Sequence, residues 1–233
     1  MAEELEQETS TPESKKSLTE QVNDIASNFP EYFEANKQKV LGVGGAIVLL
    51  VVGVMYLYAK FLPERNLNAQ KAMYMAEIYF GMDSFDIALN GNATFKGFAQ
   101  ISKDYSWTKA ANLSNYYAGI CCLNTKKYDE AIKYLDKFSS SDPIIGALRL
   151  NALGDAYAET GKQEDAVSYY EKAGYFSDNE QYAPLFLLKA GMLSEKLNKA
   201  DAAVKYYERI KEKYPQSEEG RDIEKYIARA SAK

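Results

Sequence analysis

The sequence predicts an all-α chain in which a single N-terminal transmembrane helix precedes a solenoid of stacked helix pairs, closed by a C-terminal capping helix. Three observations predict it. Residues 40–59 form an uncharged apolar run, three segments of about 35 residues repeat one pattern, and a final amphipathic stripe ends the chain. Three expected segments follow: an acidic tail over residues 1–29, a spanning helix with its extension over 30–62, and the solenoid over 63–233.

Residues 1–17 are polar and rich in Ser, Thr and Glu, a composition that cannot bury enough apolar surface to fold. Leu18, Val22, Ile25 and Phe29 then recur at helical spacing, giving a short amphipathic stretch. Pro30 suits the first turn of a new helix behind the cap Asn28, and that helix runs through Tyr32 and Phe33 into the apolar run.

Eleven of the twenty residues at 40–59 are Val, Leu or Ile. At roughly −0.3 to −0.6 kcal/mol each near the centre of an inserting helix, they contribute about −3 to −7 kcal/mol, and no charge offsets them. Twenty helical residues cover about 30 Å, the thickness of a hydrocarbon core. Tyr56, Tyr58 and Phe61 cluster at the C-terminal end, where aromatic rings favour the interface. A cleaved signal peptide fits poorly, because the preceding region is long and acidic and no small-x-small site follows. Lysines flank both ends, so charge does not set the orientation. Gly42, Gly45 and Ala46 form a small-residue patch with Gly44, a candidate helix-packing face inside a membrane.

Composition excludes several functions. The chain contains no histidine, removing the commonest general base and metal ligand. No nucleotide loop, metal cluster or nucleophile–base arrangement is present, so neither enzyme activity nor a cofactor is expected. From residue 63 onward the net charge is −1, which offers no electrostatic footprint for nucleic acid. The two cysteines, Cys121 and Cys122, are adjacent, so no disulfide framework exists and both read as small core residues. Asp155, Glu159 and Glu164 read as charges on an exposed helix face.

The repeats align Gly119 with Ala131, Gly154 with Ala166 and Gly191 with Ala203, twelve residues apart each time. Each alanine opens a similar run, ending at Leu135, Tyr170 and Tyr207. Pro143 and Pro215 end two units and stop their helices. These residues resemble the tetratricopeptide repeat, a helix–turn–helix of 34 residues. The middle unit matches best, with Leu153-Gly154, Tyr157, Ala166, Tyr170 and Ala173 on the motif. The first unit departs at Cys122 and Phe138, and the third at Ser194 and Ile210. The glycine and alanine are expected to let two backbones approach closely. Upstream, helices at 68–80, 84–89 and 93–105 resemble a degenerate opening repeat, making about four in all. Ile223, Tyr226, Ile227 and Ala230 mark a capping helix over 218–230.

The resemblance implies a concave wall lined by the first helix of each pair, at Tyr116, Ile120, Asn151, Asp155, Leu188 and Met192. Such a lining suits an amphipathic helix or an extended polypeptide segment. The basic residues of a carboxylate clamp are missing, so that mode is not expected.

The whole layout, with the runs Asp-Ser-Phe-Asp-Ile-Ala-Leu-Asn-Gly at 83–91 and Thr-Lys-Ala-Ala-Asn-Leu at 108–113, resembles the tetratricopeptide ancillary-subunit family of the bacterial Sec translocon. The similarity is to its Bacteroidetes-type members. It implies an inner-membrane protein with a cytoplasmic N-terminus and a periplasmic solenoid. Its partners would be Sec translocon subunits, a membrane-anchored periplasmic chaperone and emerging client polypeptides. An anchored scaffold for cell-envelope or division complexes, and a self-associating anchor, are the alternatives.

Overall fold

The computed structural model describes Thr19, Phe29, Pro30, residues 33–176 and residues 178–232. The tail and most of the expected amphipathic stretch, with Asn28 and Tyr32, lie outside the described residues. Among the described residues, all regular structure is helical apart from one isolated antiparallel bridge between Gly91 and Lys96. Two compact units divide between Ala59 and Lys60, three residues before the expected boundary.

Helix α1 covers Lys37–Gly81, 45 residues. It is long and apolar enough to cross a membrane, and no residue of its most apolar window is buried. The sequence predicts a fresh helix at 68–80, but those residues continue α1 without a break. Pro63 lies inside it, where it withholds one N–H from the ladder without ending the helix. Good helix formers on both sides carry the backbone through.

In the second unit, Ala69, Met73 and Ala76 form the buried stripe of α1. They pack with α2 (Phe85–Asn90) and α3 (Phe98–Asp104) into one cluster. Phe98 stacks on Tyr117 at 4.8 Å and Phe80 meets the same ring edge-on at 4.9 Å. The helix expected over 93–105 starts only at Phe98. Asn92 explains the delay. Its side-chain oxygen accepts from the N–H groups of Thr94 and Phe95, fixing an Asx turn that competes with helix.

Three helix pairs follow, α4 (Lys109–Asn124) with α5 (Tyr128–Lys137), α6 (Pro143–Glu159) with α7 (Gln163–Phe176), and α8 (Ala183–Lys196) with α9 (Ala200–Lys213). Each helix packs on the next. Thr108 caps α4 by accepting from the Ala111 N–H at 3.0 Å. Asp142 caps α6 by accepting from Ile144 and Ile145. Pro143 therefore opens α6 rather than stopping α5, which has already ended at Lys137. At the first helical position its missing N–H costs nothing. Pro215 does follow the end of α9. The expected closing helix is two pieces, α10 (Glu218–Arg221) and α11 (Ile223–Ser231), with a break at Asp222.

The turn inside each pair is the same device. Lys127, Lys162 and Lys199 donate backbone N–H groups to the carbonyls of Cys122, Tyr157 and Ser194, five residues back. That geometry needs a left-handed residue just before the lysine, supplied by Lys126 (φ 61°), Gly161 (φ 80°) and Asn198 (φ 59°). Glycine adopts it freely, asparagine tolerates it, and lysine is strained. Lys126→Gly is accordingly expected to stabilise the solenoid by about 0.5–1 kcal/mol, read as a raised urea midpoint. A lowered midpoint would contradict the account of this turn.

The repeat glycines face large side chains of the following helix. A Cβ on Gly119 would sit 2.6 Å from Leu135 Cγ, on Gly154 2.5 Å from Tyr170 Cε1, and on Gly191 2.2 Å from Tyr207 Cε1. In each case the nearest atoms belong to the large side chain four positions beyond the repeat alanine, and at Gly119 the backbone N of Leu135 also lies 3.4 Å away. Ala131, Ala166 and Ala203 are themselves fully buried.

Candidate partner-binding wall

Four of the six residues expected on the inner wall come together. Tyr116 and Ile120 of α4, with Asn151 and Asp155 of α6, line a cleft of ≈ 370 Å³. Leu148 and Ala152 add apolar floor, and the exposed Glu159 stands at the rim. Tyr116 is half-buried, packs on Phe138 at 5.2 Å, and has its phenol pKa raised by that burial. Leu188 and Met192 are not part of this cleft. Leu188 packs against the last repeats' core, whereas Met192 is 48% exposed on α8.

Asp155 is more than a solvated charge, which corrects the reading of it as part of an exposed acidic face. Its carboxylate accepts from Tyr170 OH at 2.8 Å, Lys189 Nζ at 2.8 Å and Asn151 Nδ2 at 3.3 Å. Lys189 also donates to Asn151 Oδ1 at 2.9 Å. This network ties α6, α7 and α8 together, so one cation does reach the wall, committed to Asp155 and Asn151. Burial, followed by the charge of Asp155, raises the Tyr170 pKa. Glu159 and Glu164 are exposed as expected, with Glu164 paired to Lys199. Sequence reasoning missed Lys189, because its partner lies 34 residues away and no local spacing links them.

What the wall offers a ligand is therefore an apolar strip of Tyr116, Ile120 and Leu148 with the carboxylate of Glu159 at its rim. Tyr157 of the motif stacks on Tyr169 at 5.0 Å, and Ala173 is fully buried, so both hold the scaffold. Among the described residues no cluster of three or more metal-ligating acids or thiols occurs. In the first unit, a Cβ on Gly42 or Gly45 would meet nothing within 4 Å, and Ala46 is exposed. Any close packing there requires a second helix.

Cys121 and Cys122 are both fully buried, and burial pushes each thiol up to about 12. Thiolate is the reactive form, so neither should react with a maleimide at pH 7 until the protein unfolds. Their raised pKa values also set a sign. The native state holds its thiol protons above the pH, about 8.5, at which an unfolded cysteine loses them. Their contribution to stability is complete below that pH and declines as pH rises towards about 12. Urea midpoints should accordingly fall steadily above pH 9, and Cys121→Ala with Cys122→Ala should flatten part of that slope.

Comparison with known families finds tetratricopeptide-repeat models matching residues 114–144, 149–173 and 186–217. No curated protein matches the chain. Neither matching model belongs to a catalytic family. The three helix pairs from α4 to α9 are thus tetratricopeptide repeats, a scaffold for protein–protein interaction.

Proposed function

We propose that this chain is a membrane-anchored adaptor that holds a polypeptide segment of the secretion machinery on the wall formed by α4 and α6. The observation that carries the reading is the cleft bringing Tyr116 and Ile120 beside Asn151 and Asp155 on consecutive tetratricopeptide repeats. Its apolar strip suits an amphipathic helix or an extended chain, and Glu159 at the rim favours a basic residue beside it. Anchoring is supported by the composition of α1. Leu49 is 74% exposed, with Leu50, Val52 and Leu57 beside it also exposed, a continuous apolar surface that water does not tolerate. The resemblance to Sec ancillary subunits supports a cytoplasmic N-terminus in the inner membrane and a periplasmic solenoid. Its partners are then translocon subunits, a membrane-anchored periplasmic chaperone and emerging clients. The action is binding alone, with the anchor raising local concentration beside the channel.

A photo-crosslinking amino acid at Ile120, with Lys133 as an off-wall control, tests the wall. Crosslinks from Ile120 to the chaperone, a translocon subunit or a nascent secreted chain are expected. Crosslinks only to envelope-assembly or division proteins would replace the partner assignment, and equal yields at both positions would overturn the wall itself. Because the native thiols are buried, Gln216→Cys becomes the single reactive site for topology mapping. Labelling of intact spheroplasts by an impermeant maleimide supports the orientation, and labelling only after lysis overturns it.

A further inference from the structure

The chain has one tryptophan, Trp107, and it is 83% exposed. Its backbone is also left-handed, with φ 77°, a conformation that a bulky side chain adopts only under strain. The surrounding turn is rigid. Thr108 is buried, donates its hydroxyl to the Tyr105 carbonyl at 2.8 Å and accepts from the Ala111 N–H at 3.0 Å. A stiff turn thus projects the most interface-seeking side chain of the twenty into solvent, with no packing return.

Its place along the chain gives this a purpose. Arg65 donates to the carbonyl of Asp104, and its guanidinium lies over the Tyr105 ring at 6.0 Å. Asn66 accepts from the N–H of Ala110 at 3.0 Å. Both ends of the Trp107 turn are therefore pinned to two successive residues of α1, which follow the last residue of the apolar run by six and seven positions. Six residues of chain reach at most about 20 Å in any conformation.

Beside Trp107 opens a recess of ≈ 840 Å³. Lys103, Lys109 and Lys137 line it with Ser and Asn hydroxyl and amide groups, and no carboxylate does. All three lysines are exposed. They gather where Asn112, at the start of α4, exchanges hydrogen bonds with the backbone of Ser139 just past α5.

We infer that Trp107 and this lysine-lined recess form an interfacial site for the phosphate-bearing headgroup of an anionic phospholipid, with the indole entering the headgroup boundary. The inference rests on the anchoring reading and adds a second, lipid-selective contact to it. Indole is amphipathic and settles at that depth. Each lysine near an anionic leaflet gains from its surface potential.

The single tryptophan makes the test direct. The full chain is reconstituted into phosphatidylcholine vesicles with and without phosphatidylglycerol, using lipids brominated near the headgroup. Expected are a blue-shifted emission and strong quenching of Trp107, greater with phosphatidylglycerol and reduced when Lys103, Lys109 and Lys137 become Ser. Inorganic phosphate should not reverse the quenching; reversal would assign the recess to a free anion and overturn the lipid proposal. Carbonate extraction of the same vesicles separates the two readings. A chain that washes off defeats anchoring, whereas a chain that stays while its emission is unshifted and unquenched defeats this inference alone. Trp107→Gly, in detergent, should unfold at a higher temperature than wild type, since glycine relieves the strain. A lower unfolding temperature would show the indole to be structural and would also sink the proposal.

Discussion

A chain ending at Ser217 should lose about 5 kcal/mol or more of solenoid stability, and its third repeat should fray and aggregate. Without α10 and α11, the outer face of α9 has no partner. Ile223 and Ala230 are buried against it, and Tyr226 and Ile227 pack beside them onto Tyr207 and Ile210. Burying one such aliphatic side chain contributes about 1.5–3 kcal/mol, and the terminal stripe amounts to several. Whole domains are stable by only about 5–15 kcal/mol, so a loss on this scale approaches the total. The cap also supplies the guanidinium of Arg229 to Glu195, a carboxylate on α8 whose side chain is almost wholly enclosed. Removing a cation from a buried anion costs more than removing both, so Arg229→Met should destabilise more than the pair Arg229→Met with Glu195→Gln. Ile223→Ala isolates the apolar part, with about 2–5 kcal/mol expected. Urea unfolding followed by circular dichroism measures all three. A truncated chain with wild-type midpoint and solubility would show that α11 is not a cap.

Much of this fold was legible because its determinants are local and periodic. Gly154, Ala166 and Tyr170 belong to one pair of helices, and the twelve-residue interval from glycine to alanine survives wherever the pair occurs. The apolar run needed only its length and its lack of charge. What escaped the sequence depends on groups far apart along the chain, or on one atom. The Asx turn at Asn92 delayed α3 by five residues, an effect of a single side-chain oxygen that periodicity does not register. Pro143 has the same composition signal whether it ends one helix or begins the next, and only the cap at Asp142 decides. Repeat alignment grouped Tyr116, Ile120, Asn151 and Asp155, and these four line one cleft. It could not tell that Lys189 would occupy Asp155, or that Leu188 would turn into the core. Alignment assigns a position to a face, while partners on the next repeat decide what that position has left to offer.

The repeat glycines allow the sharpest test, because helix propensity and packing pull in opposite directions. Alanine is a better helix former than glycine by about 1 kcal/mol, so a Gly→Ala change with free space stabilises. Gly146 and Gly191 are both buried within their helices, and a Cβ at either would collide with an aromatic ring. Their neighbours differ in freedom. Phe176, 2.4 Å from the new atom at Gly146, is 50% exposed and can swing away. Tyr207, 2.2 Å from the new atom at Gly191, is wholly buried, donates its hydroxyl to Glu195 at 3.2 Å and packs on Tyr226 at 5.6 Å. Its ring has nowhere to go. Overpacking of this kind costs about 1–3 kcal/mol, and more where backbone must shift. Gly191→Ala should therefore destabilise by about 2 kcal/mol after the propensity gain, whereas Gly146→Ala should be neutral or stabilise by up to about 1 kcal/mol. Gly154→Ala, against a Tyr170 ring tethered to Asp155, should fall nearer to Gly191→Ala. Urea midpoints at unchanged slope give the order. If Gly146→Ala and Gly191→Ala proved equally costly, neighbour mobility would not be what distinguishes these sites, and the glycines would have to be serving backbone contact after all.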